Sequence, residues 1–490
     1  MQLYRLLDGV DAEYNKALDG MELSGICTDS RKAKPGDLFI CLEGVNEDGN
    51  KYVAEALAGG ARAVISSRDS ELECGIKVKD AREAYALVSK NFYEKASDRL
   101  KLIAVTGTNG KTTTVNLIAE ILKSCGKNVA TIGTMGVVYN GKEYETGFTT
   151  PDPDLLHMHF HKMLEEGVEY AVMEASAHAI ALKKLAGLKF EIGVLTNITQ
   201  DHLDFFGDIE SYAKTKLSFF NADNMKLGLA CADDPRARTL LNKANVTTLS
   251  YGLDNPSDVF AVNIEEGFDR TRFICNVLDD IVPIKTNLIG RYNVANSLAA
   301  IGVCRILGLS SEKIAKSIRY VSPVEGRFNV IKHPKCNIVV DYAHTPDGLE
   351  NVLLAARQLT KGKLVALFGC GGNRDRLKRP IMGQVASRLA DKVILTSDNP
   401  RFEEPMDIIK EVEAGIGQGT PYEICENRAK AIALGLDQCG KGDTLVIAGK
   451  GGERYQDIKG EKLPYNDFDA VYSYFREHIT NIKVDENDFD

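Results

Sequence analysis

The sequence predicts an α/β protein in three domains, with mainly parallel sheets in its central and C-terminal parts. Two observations carry this. The chain has 490 residues, which at roughly 150 residues per domain is material for about three. From Lys101 onward, apolar runs of strand length alternate with Gly-rich or polar loops and amphipathic helical stretches, the pattern of a parallel sheet with helices on both faces.

Taken in order, KPGDLFICL (34–42) predicts a strand, and AEALAGGARAVISS (54–67) predicts a helix followed by a strand, together a small α/β unit. KLIAVTG (101–107) is a buried strand that runs straight into GTNGKTTT and a helix ending near Gly126, a residue suited to a C-cap. YAVMEAS (170–176) and FEIGVLTNI (190–198) are further buried strands, and SPVEGR (322–327) reads as a linker. A second series follows in CNIVVDYAH (336–344), KLVALFGCGG (363–372), DKVILTSDNP (391–400) and DTLVIAGKGG (443–452). The closing KVDENDFD (483–490) reads as a solvated tail. The expected domains are 1–98, 99–325 and 326–490. In both series polar and glycine residues cluster where strands end, the place where open α/β sheets bind ligands.

A hydrophobic share of 44% and a charged share of 26% are those of a globular chain. Lys plus Arg is 60 against 69 Asp plus Glu, a formal charge of −9, which argues against nucleic acid held on a broad basic face. Local capture of an anionic small molecule stays open. The eleven cysteines form no CxxC pair, so reduced thiols and a cytoplasmic location are expected. Asp8 and Asp11 interrupt the N-terminus, no apolar run reaches about 18 residues, and neither a signal peptide nor a membrane span is predicted.

The segment Thr106-Gly107-Thr108-Asn109-Gly110-Lys111-Thr112-Thr113 lies between a predicted strand and a predicted helix. Glycines let backbone N–H groups face phosphate oxygens, the helix N-terminus adds its dipole, Lys111 reaches outer phosphates and a Thr hydroxyl can bind Mg²⁺. The strict GxxxxGK[ST] pattern has Val105 at its first position. Glu174 closes one strand, and Asp201, His202 and Asp204 follow another; such groups beside a phosphate loop suit a hard cation. His157, His159 and His161 imitate a metal cluster, but only His157 and His161 share a helix face, and the trio reads as plain helix surface. From composition alone Lys216 is an ordinary helix lysine. Asp341 and His344 stand at a strand end within reach of a nucleotide ribose.

TGTNGKTTT, TTPDPD, MEASAHAI, TNITQDHLDFFG, SYAKTK, GRYNVANSLAAI, VEGRFNVI, DYAHTPDGLENVL, GCGGNRDRLKRPIMG and SDNPR, in this order over nearly the whole chain, closely resemble the Mur ligases of peptidoglycan synthesis. More narrowly they resemble the branch that adds the third residue of the stem peptide. The resemblance implies an N-terminal domain for a UDP sugar, a central P-loop ATPase domain and a Rossmann-like C-terminal domain that brings the amino acid. ATP and Mg²⁺ are implied, as are a nucleotide-sugar dipeptide (UDP-MurNAc-L-Ala-D-Glu), a diamino acid, and a monomer acting on small molecules. It assigns Gly107 to Thr113, Asn293, Asn296, Arg327 and Asp341 to ATP, with the two asparagines near adenine, Asp341 at the ribose and Arg327 over the phosphates. Thr112, Glu174 and His202 become the metal-associated set, and Lys111, Lys216 and His202 the catalytic one, with Lys216 carbamylated to N6-carboxylysine.

For the sugar nucleotide the resemblance points to Ser30, Thr149, Thr150, Ser176, His178 and Lys184. Leu182 and Lys184 stand where many relatives carry Gln and Arg. Asp398-Asn399-Pro400-Arg401 resembles the DNPR signature of members that accept meso-diaminopimelate, with Arg374, Gly449 and Glu453 completing that pocket. Gly452 stands where the usual GKGHE has His. The chemistry agrees, since diaminopimelate carries a second carboxylate that a guanidinium can grip bidentately. The alternatives are a lysine-adding or other Mur ligase, folylpolyglutamate synthase, and a non-catalytic nucleotide-binding protein.

Overall fold

A computed structural model describes residues 1–44, 47–69 and 71–478; the predicted tail 483–490 lies outside them. The architecture is α/β; the described residues form three larger sheets and a two-stranded one, Tyr455–Ile458 with Glu461–Pro464. In the first, the order is Ala12–Tyr14, Gly75–Val78, Ala63–Ser66, Asp37–Ile40 and Gly25–Cys27, parallel except for the first pair. The predicted strand and helix–strand pair fall here.

The central sheet has eleven strands. Lys101–Thr106 lies between Tyr170–Glu174 and Phe190–Leu195, parallel to both. The chain leaves it through the helix Lys111–Ser124, returns two places away at Val129–Gly133, and later crosses to its other side. This reversal opens a crevice at the C-terminal end of Lys101–Thr106. Alternation decides what each face buries: Ile103 and Val105 pack with helices Lys111–Ser124 and Arg291–Ile306, whereas Leu102 and Ala104 pack with helix Pro153–Glu165. Both faces are covered, hence the continuous apolar runs in the sequence. Gly126, at φ +81°, follows the helix end at Ser124.

The third sheet runs Asn329–Lys332, Asn337–Asp341, Thr444–Ala448, Leu364–Phe368, Lys392–Leu395 and Tyr422–Ile424, parallel beyond its first pair. All four predicted strands of the second series are among these. Residues 322–327 form no helix or strand, yet they are more than a free linker: a Cβ on Gly326 would meet the Gly452 nitrogen at 2.0 Å. Gly452 suits this approach, because its own Cβ would press on the Glu325 carbonyl at 2.9 Å.

The histidine trio corrects the sequence reading. It does lie on a helix, but His157 is 0% exposed and His159 2%. The helix packs against Ala81–Phe92 of the first domain, with Tyr85 donating to Asp154, while His159 packs on Tyr139 and Tyr144 of the central sheet, so the presumed surface is covered from two sides. Burial pushes His157 down to about 3 and leaves both ring nitrogens without a partner. No group of three or more His, Cys, Asp or Glu able to hold a metal occurs among the described residues. Nor is any helix there long and apolar enough to cross a membrane.

Candidate active site

The strand ends of the central and third sheets face one cavity of about 710 Å³, within the range of small-molecule sites. Lys111 and Arg401 both line it, as the placement of strand ends predicted.

The phosphate loop holds its shape through glycine. Gly107 (φ +144°) and Gly110 (φ +85°) adopt backbone that L side chains disfavour, and a Cβ on either would strike Thr196 Oγ1 at 1.9 Å or Asn296 Oδ1 at 2.4 Å. Backbone N–H groups of Thr108 and Asn109 are held by Asn197, and Thr108 Oγ1 donates to the Thr199 carbonyl. Lys111 folds back, its Nζ donating to the carbonyls of Gly107 (3.0 Å) and Thr108 (2.8 Å). Burial lowers its pKa against the raising pull of Glu174 and Asp201. Thr113 is buried in the first turn of the helix.

Glu174, 1% exposed, accepts from Thr112 Oγ1 at 2.9 Å and from the Thr134 amide at 2.9 Å. His202 (φ +56°) pairs with Asp201 at 3.3 Å and meets the His178 ring edge-on at 4.7 Å. Burial keeps the His202 imidazole neutral, with a pKa of about 3. Burial opposes ionisation of Asp201, but His202, Lys378, His344 and Lys111 hold its carboxyl down to about 2.

Lys216 lies on helix Ile209–Ser218, 1% exposed, with Nζ donating to the Gly107 carbonyl at 2.9 Å and lying 4.7 Å from the centre of the Tyr212 ring. Among the described residues no carboxylate forms an ion pair with it. Burial first, and Lys111 second, push its pKa well below the ordinary lysine value. Burial of this kind favours the uncharged form of an amine.

From the third sheet, Asp341 accepts from the amides of Phe328 and Ala343, both at 2.7 Å, and burial raises its pKa to about 6. Arg327 stacks on Tyr342 at 4.2 Å and donates to Thr112 Oγ1 at 3.3 Å, spanning the two domains. Asn293 and Asn296 bond to each other, and Asn296 abuts Gly110 beneath the loop. Both line the cavity.

Of the residues expected to bind the amino acid, Arg374, Asp398, Asn399, Arg401, Gly449 and Glu453 line the same cavity. Asn399 donates to Glu453 at 2.9 Å, and Asp398 Oδ2 packs where a Cβ on Gly449 would be. The Pro400 carbonyl crowds Gly372, where an added Cβ would be 1.9 Å away. Of the sugar-nucleotide set, Thr149 lines the cavity. Thr150 Oγ1 bonds Ser176 and the Glu174 carbonyl, Ser176 caps the helix Ala177–Ala181, and Lys184 pairs with Asp152. Ser30 bonds Glu55 in the first domain, outside the cavity lining.

Sequence reasoning missed four participants. Thr134 holds Glu174, Asp347 accepts from Asn109 Nδ2, Asp375 accepts from Gln200, and the fully buried Lys450 bonds both Asn399 and Glu453. Lys450 lay inside the GKGG segment and Asp347 inside DYAHTPDG; neither carries a local signal of its long-range partner.

Family models match three consecutive stretches: "Mur ligase family, catalytic domain" over 22–105, "Mur ligase middle domain" over 105–304 and "Mur ligase, glutamate ligase domain" over 326–451. The chain is 38% identical over 487 residues to the UDP-N-acetylmuramoyl-L-alanyl-D-glutamate--2,6-diaminopimelate ligase of Clostridium botulinum, covering 97% of this chain and 100% of that one. A solved ligase of the same name matches with a TM-score of 0.70 and 32% identity, over 98% of this chain and 100% of that one. The MurF ligase of Thermotoga maritima in complex with ADP shares the fold at a TM-score of 0.63 and 21% identity, over 94% and 98%.

Proposed function

The chain belongs to the Mur ligase family, and from that premise we propose that it is the ATP-dependent ligase joining meso-diaminopimelate to the D-glutamate carboxylate of UDP-N-acetylmuramoyl-L-alanyl-D-glutamate. The observation that carries the reading is the meeting of the phosphate loop at Lys111 and the arginine-bearing loop at Arg401 in one cavity. The domain limits proposed with it are 1–98, 99–325 and 326–490, a division supported by one larger sheet falling within each span.

A carboxylate is a poor electrophile, and its activation requires it to approach the γ-phosphate of ATP, another anion. Lys111, released from the loop carbonyls, and Arg327 are placed to offset that repulsion. The carboxylate oxygen attacks phosphorus and ADP leaves, giving an acyl phosphate. The amine then attacks the carbonyl carbon, and phosphate departs to leave the amide. A divalent cation fits the oxygen donors of Thr112 and Glu174 with His202 nearby, an incomplete set of the kind Mg²⁺ completes with substrate phosphates. When bound it would neutralise phosphate charge. Asp341 suits the ribose, and Asn293 and Asn296 the base. Thr149, Thr150, Ser176, His178, Lys184 and Ser30 are proposed for the sugar nucleotide and its peptide. Lys216, whose burial favours the uncharged amine, suits reaction with CO₂: its nitrogen bonds the carbon, a proton leaves to solvent, and an anionic carbamate results beside Lys111.

For specificity, Arg401 and Arg374 suit the second carboxylate of diaminopimelate, and Glu453 its distal ammonium. The test is phosphate release with Mg-ATP and UDP-MurNAc-L-Ala-D-Glu, comparing meso-diaminopimelate, LL-diaminopimelate and L-lysine. Turnover with the meso acid supports the reading, preference for lysine transfers it to a lysine-adding ligase, and no turnover with any amine removes it.

A further inference from the structure

Arg379 is 0% exposed, an arginine with no face to solvent, in the segment that follows Arg374. Burying a guanidinium is unfavourable unless its donors are met by well-placed acceptors. Here the two terminal nitrogens are met: Nη1 and Nη2 fork onto the two oxygens of Glu403 at 2.8 and 2.9 Å, Nη1 also reaches Glu411 at 2.8 Å, and Nη2 donates to the Gly371 carbonyl at 3.2 Å. Nε has no partner.

Two of these acceptors, Gly371 and Glu403, belong to the loops that carry the candidate amino-acid arginines, and the third, Glu411, belongs to the helix Pro405–Glu413. Gly371 precedes Arg374 by three residues, and Glu403 follows Arg401 by two. Glu403 also accepts from the Asn373 amide, Gly372 N donates to the Asn399 carbonyl at 2.9 Å, and the Phe402 amide donates to Asn373 Oδ1 at 3.0 Å. Arg401 adopts φ +52°, a conformation that persists in a non-glycine residue only when its surroundings impose it. Its Nη1 rests on the Gly372 carbonyl at 2.7 Å.

We propose that Arg379, through its fork onto Glu403 and its bond to Gly371, is a positioning residue that locks the Arg374 and Arg401 loops in the geometry needed to grip the second carboxylate of the amino acid. It lies behind both loops and makes no contact with the cavity. The proposal rests on the reading of this cavity as a diaminopimelate site. A guanidinium fork is not replaced by an ammonium, and displacement of a binding group by about 1 Å costs on the order of 100-fold.

The test compares wild type, Arg379→Lys and Glu403→Gln by phosphate release, with meso-diaminopimelate and L-lysine each titrated, and with nucleotide binding as a control for folding. The expected result in both variants is a KM for meso-diaminopimelate raised about 10- to 100-fold, KM for ATP and for the sugar nucleotide unchanged, and a smaller preference for the diacid over lysine. Unchanged KM and selectivity would overturn the proposal, as would a fall in kcat shared by all substrates, which marks a merely structural role. If Arg379→Lys fails to fold, Glu403→Gln alone decides, because it keeps volume and removes one charge at a partly exposed position. Wild type that does not use diaminopimelate overturns the underlying site reading instead, and is seen before either variant is compared.

Discussion

Asn109 in the phosphate loop and Asp347 in the first turn of helix Pro346–Leu359 are joined across the domain boundary, Nδ2 donating to Oδ2 at 2.7 Å. The loop that would hold nucleotide is thereby attached to the domain that would bring the amine. Losing a hydrogen bond to a charged group costs about 1.5–3 kcal/mol, so Asp347→Ala is expected to lower kcat about tenfold or more at saturating substrates. Steady-state phosphate release checks this, and an unchanged kcat would remove the coupling.

Arg401→Ala leaves a substrate carboxylate facing an empty position. Breaking one side of a buried Arg–carboxylate pair costs about 2–5 kcal/mol, so kcat/KM for meso-diaminopimelate should fall about 30-fold or more, while use of L-lysine changes little. Equal losses for both amines would show that Arg401 holds the loop and not the ligand.

Asp341 has a folded pKa of about 6 against 3.8 when free. Between those values the native state holds a proton that the unfolded chain has lost. Its contribution therefore favours folding below about pH 4 and is lost as pH rises through 6, by about 3 kcal/mol at most. The ionised carboxylate accepts from ribose hydroxyls more strongly than the protonated acid, so ATP affinity should weaken below pH 6. Nucleotide titrations from pH 5 to 8 should show this slope in wild type and a flat response in Asp341→Asn.

Lys216→Ala is expected to lower kcat about 100-fold or more, in line with loss of a charged group at a phosphoryl-transfer centre. Wild type in CO₂-free buffer should lose activity and regain it with bicarbonate, and ¹³C-bicarbonate should add a carbamate resonance that the variant lacks. Full activity without CO₂, and no labelled carbon, would leave Lys216 as a plain amine.

What the sequence by itself determined is what depends on neighbours along the chain. Lys101–Thr106 and Leu364–Phe368 were legible because strands buried on both faces must be apolar throughout. The phosphate loop was legible because strand, glycine turn, lysine and helix are consecutive. Glu174 was legible as a strand-end carboxylate beside that loop, whereas Lys216 took meaning from the family pattern, and only the tertiary structure shows its amine to be buried. The tertiary structure alone decided that His157 is core, because another domain's helix covers that face. It alone joined Asn109 to Asp347, Lys450 to Asn399 and Arg379 to Glu403. Each of these is a charged or polar residue of ordinary type whose role comes from a partner on another loop, helix or domain. Pairing of that kind leaves no period or composition in the sequence, because it is produced by the packing that brings distant strand ends to one cavity.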